Sequence, residues 1–313
     1  MSNSTNPPLN AFQKVLLEAK LRRCSSDAFQ AFFSEVMSEV HRSDFIKVRA
    51  YGSLGDQGCD GYLLDSGKLY QCYGALNGDD RKVKTLIDKM NKDFLTALGS
   101  EIGKIMKEWY MVHNLVEGLP TDAIVAMNKL KEQNPGIKFG FVGFEGFEQR
   151  IAGLHPTKIE NLIGAAATNE DSLELQLPEL SQLVNAIIEL TESEGAISGL
   201  ELDPVSVDKL DHNALATHWK VLISSGWNNA YIVSDYLDRH PDPLAGETIA
   251  THLNTRYLYL KSQGISSDAI MTSLYEFVTG KGHSTVQRQV AAHALLAHLF
   301  ESCDIFENAP LRV

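Results

Sequence analysis

Hydrophobic residues recur at helical spacing in two stretches near the start of the chain. Residues 11–20 form a short amphipathic pattern. Phe29, Phe32, Phe33, Val36, Met37 and Val40 line one face of a second helix, which Ser26 and Asp27 cap. From 45 to 51 apolar and basic residues alternate, the period of a strand. A glycine-rich bend then leads to strands at 61–64 and 69–73, joined by the turn Asp65-Ser66-Gly67. The remaining pattern predicts a basic helix over 79–98, a strand over 108–115, a helix over 121–133 and a strand over 137–142. The order α-α-β-β-β-α-β-α-β implies a mixed sheet flanked by helices.

Beyond His155 strand signals fade. Residues 177–190 read as a helix, and 192–211 as an acidic linker with scattered Gly and Pro. Apolar positions at helical spacing predict a helix over 213–240, ended by the proline-containing break at 241–243. Three more helices follow, at 246–262, 267–278 and 284–303. The expected class is an α/β domain over 1–155, a helical and acidic linker region over 156–211, and an all-α domain over 212–313.

Composition narrows the class without changing it. The 313 residues are 44% hydrophobic and 22% charged, ordinary globular values with material for one or two domains. No apolar run approaches the roughly 18–20 residues of a membrane span. The N-terminal segment has neither a basic flank nor an apolar stretch, so no signal peptide is expected. Cys24, Cys59, Cys72 and Cys303 form no C-x-x-C pair, and a reducing cytoplasm is the expected compartment.

The net charge of -12 is distributed unevenly. Residues 1–150 carry 19 basic and 19 acidic side chains; residues 151–313 carry 9 and 21. An acidic surface repels nucleic acid, so any DNA contact is expected from the first half.

The candidate chemistry lies in Gly55-Asp56-Gln57-Gly58-Cys59-Asp60-Gly61 and in Tyr70-Gln71-Cys72-Tyr73. The hairpin between them brings a carboxylate beside a strand glutamine. Asp60, Gln71 and the carbonyl between Gln71 and Tyr73 are hard oxygen ligands of the kind Mg²⁺ prefers. Such a cation can activate water and neutralise charge on a phosphodiester. The plainer reading of 55–61 is a tight turn with Asp56 as its turn former.

These residues resemble the PD-(D/E)xK nuclease fold, in particular its restriction-endonuclease-like Mrr branch. That family carries Phe-Glu on a helix, a G-D-x-G-x-D element and a Q-x-K strand. Here Phe29-Gln30, Asp56, Asp60 and Gln71 stand at those positions, while Gln30 replaces the helix acid and Tyr73 the lysine. The resemblance implies a metal-dependent endonuclease using Mg²⁺ or Mn²⁺. Asp60 and Gln71 would be the metal ligands, Asp56 and Gln30 would support them, and Tyr73 takes the lysine place. A neutral phenol with a pKa near ~10 does a lysine's work poorly, so Lys82 or Lys84 on the following helix would donate the charge. Those lysines also read as part of a solvated helix face.

The run from Ala294 to Glu307 resembles the C-terminal helical domain of accessory proteins of ABC-three-component systems, bacterial conflict operons. In these an SMC/ABC-type ATPase works with a small middle component and an effector. Their effectors often fuse an endonuclease-like domain with a Tyr-Gln-x-Tyr strand to such a tail, and Tyr70-Gln71-Cys72-Tyr73 has that form. The resemblance implies DNA as partner of the first half, and the ATPase and middle component as partners of the second. It implies no membrane, and it leaves a homo-oligomer open. Asp304, Ile305 and Phe306 are the expected docking residues, the alternative being that the two apolar ones fold back onto the helical core. A non-catalytic adaptor that binds DNA or a subunit is the rival function.

Other chemistries fail on spacing. Lys281 is followed by Gly282, and the position five before Gly280 is Tyr275, so no phosphate-binding P-loop is expected. Gly140, Gly143 and Gly146 lack dinucleotide spacing, and neither a zinc pattern nor a G-x-S-x-G elbow occurs. His293 and His298 are five apart, the wrong interval for joint ligation from one helix.

Overall fold

The computed structural model describes residues 7–49, 56–78, 83–194, 209–282, 284–302 and 305–307. It divides into two compact units: 1–9 with 17–163, and 10–16 with 164–313.

The first unit is built on a five-stranded sheet in the order β1 (Phe45–Lys47), β2 (Gly61–Leu63), β3 (Lys68–Tyr73), β4 (Glu108–His113), β5 (Lys138–Val142). β1, β2 and β3 are antiparallel, and β3, β4 and β5 are parallel. A tight turn closes β2 onto β3, where Gly67 takes a left-handed φ of 69° and donates its N–H to the Leu63 carbonyl. The parallel pairs need crossovers, supplied by α3 (Val83–Leu98) and α4 (Thr121–Gln133).

Alternation along the strands sorts the core into two layers. Tyr70 on β3 packs on Phe33 of α2 (Ser26–His41), ring centroids 5.4 Å apart. Phe29, Phe32 and Phe33 of α2 enclose Phe147 of α5 (Phe144–Ala152). On the other face Leu69 and Tyr73 join Trp109 and Met111 against Leu86, Met90 and Phe94 of α3 and Met127 and Leu130 of α4. Asn114, fully buried after β4, ties the loops together. Its Nδ2 donates to the carbonyls of Leu21, Cys24 and Ala75, and its Oδ1 accepts from the Ala75 N–H at 2.7 Å. Leu21 lies on α1 (Ala11–Arg23).

The second unit is helical among the described residues. Leu180, Leu183, Val184 and Ile187 of α7 (Leu177–Glu194) share one core with four C-terminal helices. Those are α9 (Thr217–Asp238), α10 (Ala245–Ser262), α11 (Ser267–Thr279) and α12 (Val286–Glu301). Serine and threonine caps set two starts: Ser266 accepts from the Ala269 N–H and Thr285 from the Arg288 N–H, both at 3.2 Å. α9 and α12 approach at Gly226, where a Cβ would collide with the His293 carbonyl oxygen. A short helix, α8 (Lys209–His212), carries Lys209, whose Nζ is buried and donates to the Phe300 carbonyl at 2.6 Å.

The expected domain limits differ from this division. The first unit runs on to Ile163, because α6 (Pro156–Ile163) buries Ile159, Leu162 and Ile163. Residues 164–194, expected within a linker region, belong to the second unit, since α7 presents a full apolar stripe to its core. Of the acidic linker at 192–211, residues 195–208 lie outside the described residues. The strand expected over 45–51 is Phe45–Lys47, and 50–51 are not described. α5 and α6 were not expected; their patterns span only 9 and 8 residues, too short for periodicity to register.

Candidate functional site

Asp60 stands at the end of β2, where the ladder slips by one position. Gly61 pairs with Tyr70, yet the Asp60 N–H also reaches the Tyr70 carbonyl, at 2.8 Å. The slip turns the Asp60 carboxylate into the space where the next ladder bond would form. There Oδ2 accepts the Cys72 N–H at 2.7 Å, and Oδ1 accepts Nε2 of Gln30 from α2 at 2.5 Å. Three of the predicted positions therefore meet: Gln30, Asp60 and the backbone between Gln71 and Tyr73.

The preceding turn fixes this geometry. Asp56 accepts the Gly58 N–H on Oδ1 at 2.9 Å, the expected turn-former bond. Gly58 has a left-handed φ of 71° and lies against the Asp93 carbonyl of α3 where a Cβ would clash, so glycine is required. Asp56 thus acts through the turn and through its charge.

Asp60 is 4% exposed. Burial pushes its carboxyl up to about 6, opposed chiefly by the Cys72 N–H, which favours the charged form. The charge of Asp56 raises it further, and that of Lys89 on α3 lowers it. Lys89 is paired with Asp93 at 2.6 Å one turn on.

Gln71 is also buried, on the face of β3 turned toward α3, with Leu69 and Tyr73. Its Oε1 finds no hydrogen-bond partner among the described residues. Cys72 turns its N–H toward Asp60, and in an antiparallel ladder the carbonyl of that residue leaves the same edge of the strand. A carboxylate, an amide oxygen and a backbone carbonyl are each of a type that suits a hard divalent cation, but Gln71 projects into the α3 layer whereas the Asp60 carboxylate is held by Gln30 of α2, on the Tyr70 side of the sheet. Among the described residues no group of three or more His, Cys, Asp or Glu is placed to hold a metal ion, so carboxylates or imidazoles alone do not build such a site.

Tyr73 belongs to the apolar cluster with Leu86 and Met90. Beside it in register, His113 is buried, and burial lowers its imidazole to about 4, so the ring is neutral at pH 7. Lys84 is exposed on the first turn of α3, and Lys82 lies outside the described residues. The sequence places Lys89 only in the basic surface of this helix and not at the site, and it does not single out His113. Lys89 directly precedes Met90 in the stripe Leu86, Met90, Phe94, which was a readable signal for a lysine at the edge of the sheet-facing side. Burial raises the thiols of Cys24, Cys59 and Cys72, Cys59 to about 12, which excludes them as thiolate nucleophiles near pH 7.

In the second unit the expected exposed anchors are corrected. Ile305 is fully buried and Phe306 is 4% exposed, its ring against Tyr257 and Phe300. The segment is held by Asn213, which donates to the Glu307 carbonyl and accepts the Glu307 N–H. Glu307 also pairs with Lys261. Asp304 lies outside the described residues. The two apolar residues close the core and have no surface left for a partner.

Residues 179–307 match the family model for C-terminal domain 10 of the ABC-three component systems. The match supports this chain as a component of those multi-protein systems. The domain spans α7 to the Glu307 clamp, so its helices and the closing segment form one folded piece. No curated protein and no solved structure matches the chain. Among the described residues no helix is long and apolar enough to cross a membrane.

Proposed function

We propose that this chain is the effector of an ABC-three component defence system, and that its first unit is a metal-dependent DNA endonuclease working with an SMC/ABC-type ATPase. The observation that carries the reading is the seating of the Asp60 carboxylate against the Cys72 amide, with Gln30 closing from α2 and the Gln71 oxygen unpaired. The order α2, β1, β2, β3, α3, β4, antiparallel then parallel, agrees with a restriction-endonuclease-like core.

Asp60 and Gln71 would hold Mg²⁺ or Mn²⁺, which when bound supplies water activation and charge neutralisation. Gln30 fixes the carboxylate by hydrogen bonding without adding the repulsion that a second acid would bring. Lys89 of α3, whose charge favours the ionised form of Asp60 while that of its partner Asp93 opposes it, would take the place expected for Lys82 or Lys84. The exposed Lys84, Lys92 and Lys107 offer phosphate contacts to a DNA backbone.

The rival reading, a nuclease-like adaptor that binds without cutting, draws on two observations. Both Asp60 oxygens already accept protein hydrogen bonds, and Tyr73 sits in an apolar cluster. Plasmid degradation by the purified chain with Mg²⁺ or Mn²⁺, alone and with the proteins of its operon, separates the two. Cutting that Asp60→Ala abolishes is expected. Cutting that survives Asp60→Ala ends the assignment of Asp60, and no cutting under any condition favours the adaptor.

A further inference from the structure

We propose that the outer face of α9, centred on Trp227 and Tyr231, is the docking surface for another protein component of the same system, one presenting an apolar pocket rimmed by lysine or arginine. The inference rests on the reading of the second unit as an assembly module and names the surface that module uses.

α9 has a clear inner side. Leu222, Ile223, Gly226, Ala230 and Val233 are buried. At 100° per residue, Trp227 falls on the flank of that side and Tyr231, one turn on, toward the outer face. Trp227 is 38% exposed and Tyr231 70%, whereas Trp109 and Trp219, the other two tryptophans, are fully buried. The outer face of a surface helix ordinarily carries charged or small polar residues. The exposed ring surface of the two aromatics costs solvation. Trp and Tyr are the side chains that most often anchor protein interfaces.

Charge selects the occupant. Residues 151–313 carry the whole net charge of -12. Several of the unit's cations are already engaged: Lys209 on the Phe300 carbonyl, Lys220 with Asp211, Arg239 with Asp235 and Lys261 with Glu307. Asp238 lies exposed on the same side of α9 as the aromatic pair. Lys220, on that stripe too, is neutralised by Asp211, and the net negative charge of the segment as a whole repels nucleic acid, anionic lipid and a second copy of itself. A positively rimmed pocket on a different protein is attracted and oriented by it.

The test uses the full chain and the proteins encoded by its adjacent genes, purified separately, with affinity measured by calorimetry over a salt series. One of those proteins is expected to bind the wild-type chain, more weakly as salt rises. Trp227→Ala and Tyr231→Ala should each weaken that binding at least about 10-fold, and the double variant should abolish it. Their melting temperatures should stay at the wild-type value, and Leu177→Ala, exposed at the start of α7, should bind normally. Full affinity in the double variant overturns this surface and leaves the assembly reading standing. Absence of binding to every neighbouring gene product overturns both. Wild-type self-association, or binding to DNA or anionic vesicles, that the double variant loses assigns the face to a different occupant and overturns the proposal.

Discussion

Gln30 and Asp60, thirty positions apart, meet at 2.5 Å, with the Gln30 amide donating to Oδ1 of the carboxylate. This bond sets what the site tolerates without a cation. An amide satisfies the buried carboxylate, whereas a second carboxylate at the same distance would repel it.

Gln30→Glu therefore converts a self-sufficient pair into one that needs positive charge. Two carboxylates so close cannot both ionise at ordinary cost, so the variant should melt below wild type in chelator. Mn²⁺ or Mg²⁺ should raise its melting temperature by more than it raises that of the wild type, since binding to the folded state alone stabilises by mass action. Thermal melts with and without the metal measure this; equal shifts in the two proteins would place no cation at Asp60.

How much of that pair was readable beforehand differs residue by residue. The alternation at 69–73 and the turn at Asp65-Ser66-Gly67 located β2 and β3 closely, because a period of two and a left-handed glycine are local properties. Asp60 and Gln30 were singled out from short motifs, but their hydrogen bond depends on α2 lying on the Tyr70 face of the sheet, which no local pattern encodes. The burial of Ile305 and Phe306 was not decided by sequence for the same reason. An Ile-Phe pair beside acids has one composition whether it docks outward or folds back, and the clamp by Asn213 comes from about 94 positions away. Lys89 is not separable from the rest of the basic surface by sequence, because three lysines on one helix look alike until the helix is set on the sheet.

The elevated Asp60 carboxyl makes stability fall with pH over a defined window. Its ordinary value is 3.8 and its folded value about 6, so between these the folded chain binds more protons than the unfolded one. This stabilisation is fully present below 3.8 and is lost as pH rises through about 6. At one unit per roughly 1.4 kcal/mol this amounts to on the order of 3 kcal/mol. Asp60→Asn should flatten that dependence and raise the melting temperature at pH 7.5 but not at pH 4. Denaturant titrations across pH 4–8 that give parallel curves for both proteins would contradict the assignment.

Lys89 and Lys84 separate charge facing the site from charge on the surface. Lys89→Met removes the cation that favours ionised Asp60 and leaves Asp93 without its 2.6 Å partner. In a cutting assay it should lose at least about 10-fold of activity, the usual scale for one charge at a phosphoryl site. Lys84→Met should weaken DNA binding modestly and lose that effect at high salt, as expected for one exposed phosphate contact. Equal losses in the two variants would mean that Lys89 acts only as surface charge.

The closing segment of the second unit offers a stability prediction that is independent of any chemistry. Phe306 is buried against Tyr257 and Phe300, so Phe306→Ala leaves a cavity and should cost about 3–5 kcal/mol. Lys209→Ala removes the 2.6 Å bond to the Phe300 carbonyl and strands that acceptor, a cost of about 1–3 kcal/mol. Both changes act on the last turn of α12, so they share a neighbourhood, and the double variant should lose less than the sum of the two. Chemical denaturation of the three variants measures this. If Phe306→Ala were as stable as wild type, the segment would not close the core, and an outward docking role for Ile305 and Phe306 would regain its basis.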